Sequence, residues 1–271
     1  MLCALILQAE LINVIMKKVK IIVLSVLGFF SFTISAHSQT LILQASDFTG
    51  TTFWFLSMSM VAATAFFFVE RGTASPSWKM PLTVMALVTG VAALHYFYMS
   101  NIWAQSNELD TAYRHIEWII TMPLQIITFY LVISAVRKVK SSIFWKLLAS
   151  SLLMPIGWYL GEADYIHSFL GFVLGTAGWI YIIFEIFSGE TSEIVYRTSN
   201  KGLATAYNSM KMIVAVGWAI YPLGYIFGDF TSGLESSTIN VLYNLGDFVN
   251  KIAFGVAIWV GAMSNTYLSK R

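Results

Sequence analysis

Apolar residues come in long runs, and the polar residues fall mostly in the breaks between them. Seven such runs lie near Phe48–Val69, Met80–Trp103, Ala112–Val136, Ile143–Leu160, Ile166–Phe187, Ala206–Phe227 and Thr238–Tyr267. A helix crosses the hydrocarbon core of a bilayer with about 20 apolar residues, so each run is long enough to span. The connections are short, and no stretch reads as a soluble domain. The pattern predicts an all-α membrane protein built as a seven-transmembrane-helix bundle. Composition agrees: 57% of the 271 residues are hydrophobic and 11% charged, where a soluble domain carries about 25% charge.

The chain start has a different pattern. Met16-Lys17-Lys18-Val19-Lys20 is basic, Ile21–Ile34 is apolar, and Ala36-His37-Ser38 places small residues where a signal peptidase reads. Residues 1–38 are expected to comprise upstream residues and a cleavable signal peptide, with Met16 as the initiator and cleavage after Ser38. Residues 39–271 then form one domain. The alternative is an additional membrane helix. The single cysteine, Cys3, cannot form an internal disulfide, so packing must hold the fold.

The placement of charge orients the bundle. Arg71 and Lys79 lie between the first two spans; Arg137, Lys138, Lys140 and Lys146 lie between the third and fourth. Arg197, Lys201 and Lys211 lie between the fifth and sixth, and Lys270 and Arg271 end the chain. The alternate connections hold Glu108, Asp110, Glu162, Asp164, Asp229 and Glu235, without lysine or arginine. Cationic loops stay cytoplasmic, so the mature N-terminus is expected outside and the C-terminus inside.

By this reading two cations remain within the spans, Arg114 and Lys251. Lys251 lies in LYNLGDFVNKIAFGVAIW, Leu242–Trp259, four residues after Asp247. That spacing puts both on one helix face, where they can pair. A charge in the membrane interior costs several kcal/mol and persists when paired or functional. Either a structural ion pair or a lysine carrying an aldehyde cofactor as a Schiff base fits these residues.

The third span carries a polar stripe. Arg114, Glu117, Thr121, Gln125 and Thr128 follow one another at steps of three or four, so they share one face. Glu117 and Thr128 are about 16 Å apart along the axis. Such a stripe marks an ion or proton route more often than simple helix contact. His95, in AALHYFYM on the second span, reads either as a core histidine or as a hydrogen-bond partner that tunes Glu117. Trp218, Tyr221, Pro222 and Tyr225 recur at helical spacing on the sixth span, and Trp118 and Trp179 add aromatic surface. With a buried lysine, this suggests a slot for a flat conjugated ligand. Pro222 removes one backbone hydrogen bond and permits a kink.

These segments resemble the microbial (type 1) rhodopsins, most closely the proteorhodopsin group. RHIEWIITMPLQIITFYLVI is similar to that family's third helix, GWAIYPLGY to its sixth and LYNLGDFVNKIAFGVAIW to its retinal-lysine helix. FFFVERGTASPSWK, LVTGVAALHYFYM and the turn Gly161-Glu162-Ala163 match its early helices and the end of its fourth. The resemblance covers Ala45 to Trp259 and implies all-trans retinal on Lys251. It implies Glu117 as proton acceptor and primary counter-ion, Asp247 as secondary counter-ion, and Arg114 as the outer gate. Thr121 belongs to the same route, Thr128 takes the cytoplasmic donor position and Gln125 the spectral-tuning position, where glutamine goes with blue-shifted absorption. Trp118, Met154, Trp179, Trp218, Tyr221 and Pro222 would line the retinal. Phe172 stands where carotenoid-binding relatives have glycine, so no antenna pigment is expected.

The usual acceptor in that family is aspartate, whereas here it is the longer Glu117. Threonine has no proton to give near neutral pH, so Thr128 implies reprotonation from cytoplasmic water and a slow cycle. The expected function is a light-driven outward proton pump in the bacterial inner membrane. The alternative is a sensory photoreceptor with a long-lived intermediate and a transducer partner. Either is a transporter or photoreceptor, not an enzyme. The implied partners are the lipid bilayer, retinal, protons and further copies in a pentamer or hexamer; no metal and no nucleic acid are expected.

Overall fold

A computed structural model of the protein describes residues 46–230 and 234–268, without the side chains of residues 229, 267 and 268. The expected leader lies outside the described residues. Asp47 starts the first helix: its carboxylate accepts from Gly50 N at 2.9 Å, and it also accepts from Trp103 Nε1 at 2.8 Å. One side chain therefore caps one helix and ties it to the end of the next.

Seven helices are long and apolar enough to cross a membrane: α1 Phe48–Glu70, α2 Pro76–Ser106, α3 Ala112–Ser134, α4 Ser141–Glu162, α5 Ser168–Tyr196, α6 Lys201–Gly228 and α7 Ser236–Thr266. Among the described residues there is no strand. This all-α bundle agrees with the hydrophobic pattern to within a few residues at most ends. The largest difference is at α5, which continues past a break at Gly189 into a short helical piece, Glu190–Tyr196. Two helix exits need left-handed backbone, at Asn107 (φ 54°) and Asp164 (φ 57°). Asparagine and aspartate tolerate that region better than other side chains.

Successive helices pack side by side, α7 returns to α1, and α3 also touches α6. α3 is the most enclosed, with 61% of its apolar window buried, against 33% for α1 and α5. Large apolar side chains point outward where lipid would lie, among them Trp54, Leu87, Ile120, Trp145, Ile180 and Phe184. Buried polar side chains concentrate on α3 and α7. That inversion of the soluble pattern is expected of helices whose solvent is hydrocarbon.

The α4–α5 seam shows how closely the backbones approach. A Cβ on Gly171 would lie 2.5 Å from Gly161 Cα, and one on Gly157 would lie 2.7 Å from Gly175 N. Small residues permit this approach, which replaces hydrophobic driving force with van der Waals contact in a membrane. Lys211 corrects the loop assignment made from charge alone. It sits within the helix Lys201–Val216 of α6, with its ammonium 4.8 Å from the centre of the Phe187 ring. A long lysine stem over an aromatic face makes that position tolerable.

A buried lysine between two carboxylates

The seventh helix changes winding at its centre. It runs as α-helix over Ser236–Asp247, as π-helix over Phe248–Ala253, and as α-helix again over Phe254–Leu268. Single π turns are frequent at functional sites. Here the π turn contains Lys251 and begins beside Asp247. Gln125 of α3 donates through Nε2 to the Asn250 carbonyl at 3.2 Å, so a side chain from the polar stripe supports the irregular backbone.

Lys251 Nζ lies 2.8 Å from Asp247 Oδ1 and 3.4 Å from Glu117 Oε2, and all three side chains are 1% exposed. The spacing of four read from the sequence is therefore an actual ion pair, and α3 supplies a second acid. Asp247 is heavily engaged: Tyr96 Oη donates to its Oδ2 at 2.5 Å, Tyr221 Oη to Oδ1 at 2.7 Å, and Trp118 Nε1 to Oδ2 at 3.3 Å. Glu117 differs. Among the described residues neither of its carboxylate oxygens has a hydrogen-bond partner, although both are buried. Thr121 Oγ1 donates to the Glu117 backbone carbonyl at 3.1 Å.

The whole polar stripe is buried: Arg114, Glu117, Thr121, Gln125 and Thr128. Arg114 turns toward α7, donating to Asn240 Oδ1 and Asn244 Oδ1, each at 2.7 Å, and to Tyr96 Oη at 3.2 Å. Its guanidinium also lies 5.3 Å from the ring centres of Phe53 and Tyr243. Among the described residues it forms no ion pair with a carboxylate. Thr128 donates its hydroxyl to the Gln125 carbonyl, so its hydrogen is committed to backbone.

No hydrogen bond joins His95 to Glu117 among the described residues. Its Nε2 is buried with no hydrogen-bond partner, the Glu117 oxygens are likewise unpartnered, and its nearest ring is Tyr98, with centres 6.2 Å apart. The helical phase explains the difference. The buried positions of α2 run through Ala92, Tyr96, Met99 and Trp103, so Tyr96 points to Asp247 while His95, one step round the helix, lies half-buried at the edge of that face. Counting steps of three and four from Leu82 would have selected Tyr96.

Trp118, Tyr221 and Trp218 meet ring to ring in the core. Trp118, Met154, Trp218 and Tyr221 are buried, as is Pro222. The Trp118 ring lies 4.7 Å from Tyr221 and 5.4 Å from Tyr243, both edge-on. Trp179 is half-buried and donates through Nε1 to the Val214 carbonyl at 3.0 Å, joining α5 to α6. Pro222 sits after a 3₁₀ turn at Gly217–Ala219. A proline ring cannot donate to, and crowds, the carbonyl four residues earlier, which here is Trp218. Asn250 Nδ2 donates to the Gly217 carbonyl at 3.0 Å and to Tyr221 Oη at 3.2 Å, so α7 braces this break. Tyr96, Tyr243, Asn240 and Asn244 were not singled out by the sequence. Each lies on an inward helical phase, which is the signal that could have found them.

A seven-helix membrane protein with one enclosed lysine facing two acids and an aromatic wall defines a narrow class. The chain belongs to the bacteriorhodopsin-like protein family, whose model matches residues 47–265; members of that family bind retinal. It is 46% identical to the blue-light absorbing proteorhodopsin of Gamma-proteobacterium Hot 75m4, over 80% of this chain and 87% of that one. It is 44% identical to the green-light absorbing proteorhodopsin of Gamma-proteobacterium EBAC31A08, with the same coverage of both chains. Among solved structures, the blue light-absorbing proteorhodopsin from Med12 superimposes with a TM-score of 0.69 at 46% identity, covering 80% of this chain and 98% of that one. The chain is thus a multi-pass membrane protein of the microbial rhodopsin kind.

Proposed function

We propose that the protein is a light-driven outward proton pump of the bacterial inner membrane that uses all-trans retinal attached to Lys251. The observation that carries this reading is the pairing of one buried amine with two acids of unequal commitment. Asp247 already accepts from three side-chain donors. Glu117 lies 3.4 Å from the same nitrogen and receives none of those three donors, so it has lone pairs left to take a proton. The two proteorhodopsin relatives, named for absorbing blue and green light, support the photochemical part of the reading.

The residues fit the cofactor. Lys251 would hold retinal; Trp118, Met154, Trp218, Tyr221 and Pro222 would flank it; Gln125 would tune its colour. Retinal, when bound, absorbs visible light and changes the orientation and proton affinity of the nitrogen that carries it. Glu117 accepts the proton leaving Lys251 Nζ at Oε2, the oxygen nearer to that nitrogen. Asp247 keeps its donors and remains the fixed partner. Arg114, held by Asn240 and Asn244, separates the acceptor from the outer end of α3. Thr128 cannot supply a proton near neutral pH, so Lys251 Nζ regains its proton from cytoplasmic water, and recovery is slow.

The excess of Arg and Lys on alternate connections supports an N-terminus outside and a C-terminus in the cytoplasm. Further copies of the chain, as a pentamer or hexamer, complete the proposed assembly. Illuminating cells that make the protein and following external pH tests the pump. Acidification that a protonophore abolishes is expected, and its absence with intact pigment overturns the reading. Because Thr128 is not an acid, a photoreceptor with a long-lived intermediate is the second reading. It predicts recovery over seconds with little net proton movement.

A further inference from the structure

A second buried contact between titratable side chains lies near the lysine site and has no part in the mechanism above. His115 Nδ1 of α3 is 3.5 Å from Glu162 Oε2 at the end of α4, with side-chain exposures of 1% and 4%. His115 is two residues from Glu117, so it leaves the helix on a different side. Its ring meets the Trp118 ring edge-on, with centres 4.8 Å apart and planes at 71°. Trp118 in turn donates through Nε1 to Asp247 Oδ2 at 3.3 Å, and Asp247 Oδ1 is 2.8 Å from Lys251 Nζ. The contacts form one line from Glu162 through His115, Trp118 and Asp247 to the lysine.

We propose that His115 and Glu162 are a positioning pair that sets the pose of the Trp118 indole, and through it the hydrogen bond onto Asp247. An indole carries one N–H donor in a fixed direction relative to its ring, so tilting the ring changes the donor's aim. Trp118 already touches Tyr221 and Tyr243 on its inner side, and His115 supplies the opposing contact. Glu162 Oε2 packs against the imidazole from α4 at 3.5 Å, while the Tyr159 ring lies 6.2 Å from it. At the neighbouring Gly161, a Cβ would lie 2.2 Å from Tyr225 Oη, so the end of α4 has little room to shift. The inference rests on the retinal reading for its spectral consequence, and on the protein alone for its structural one.

The test uses Glu162→Gln, His115→Phe and their double variant, with two readouts. In retinal-free protein, ultraviolet resonance Raman reports the hydrogen-bond strength of the Trp118 indole N–H, assigned by its loss in Trp118→Phe. In protein loaded with all-trans retinal, the visible maximum reports the charge environment of Lys251. Each single variant is expected to weaken the indole hydrogen-bond band and shift the visible maximum by several nanometres. The double variant should show little more than either single change, as for residues acting through one another. Unchanged indole band and unchanged maximum in folded variants overturn the proposal. A changed band with an unchanged maximum overturns the link to Asp247. If the unaltered protein forms no pigment, the retinal reading fails while the Raman result still judges the positioning pair.

Discussion

Lys251 Nζ is 2.8 Å from Asp247 Oδ1, one turn away on the same helix, whereas Glu117 reaches it from α3 at 3.4 Å. The first contact is written into local spacing and the second depends on how α3 and α7 are brought together. The two acids therefore differ in origin as well as in hydrogen bonding, and substitutions should separate them.

Lys251→Ala should abolish the visible band that forms with all-trans retinal, because the only amine of the enclosed site is gone. It should also destabilise the fold by about 3–5 kcal/mol, since a buried ion pair loses one partner. Absorption spectra and thermal denaturation in detergent check both. A visible band with an intact C=N vibration in this variant would refute the attachment site.

Glu117→Gln removes the proposed acceptor while keeping size and polarity. Pigment should still form, with a shifted colour, and light-driven proton release should vanish. A pH electrode in a vesicle suspension measures this, and undiminished release would exclude Glu117 from the outward route.

Thr128→Glu places a carboxyl group on the same buried face as Glu117. If a missing donor limits turnover, recovery after a flash should accelerate at least several-fold near neutral pH and slow again in alkali. Flash photolysis between acid and alkaline buffers decides; an unaltered time course would place the slow step elsewhere.

Asn240→Leu removes a side chain that accepts from Arg114 at 2.7 Å and donates to the Leu109 carbonyl at 3.2 Å. A buried charge that loses a hydrogen-bond partner costs about 1.5–3 kcal/mol. The variant should unfold at lower temperature than the unaltered protein. Equal melting temperatures would show that Asn244 and Tyr96 suffice to hold the guanidinium.

Gly171→Ala tests the α4–α5 seam, where a Cβ would meet Gly161 Cα at 2.5 Å. Overpacking of this kind costs about 1–3 kcal/mol. Loss of visible absorbance on heating should move to lower temperature, with the visible maximum at room temperature nearly unchanged.

The chain alone determined the class of fold. Seven long apolar runs leave a membrane bundle as the only way to satisfy the backbone in hydrocarbon. The spacing of four also determined that Asp247 and Lys251 share a face, and steps of three and four put Glu117 on a buried stripe. Those properties are local, and helix periodicity carries them. The tertiary structure decided the rest: that Glu117 reaches Lys251 across two helices, that Tyr96 rather than His95 hydrogen-bonds Asp247, and that Arg114 points to Asn240. It also brought Glu162 against His115, 47 positions away in the chain. Such contacts depend on the rotation of one helix about its axis against its neighbour. A few tens of degrees exchange one side chain for the next, and packing of the whole bundle, not the sequence of either helix, sets that angle.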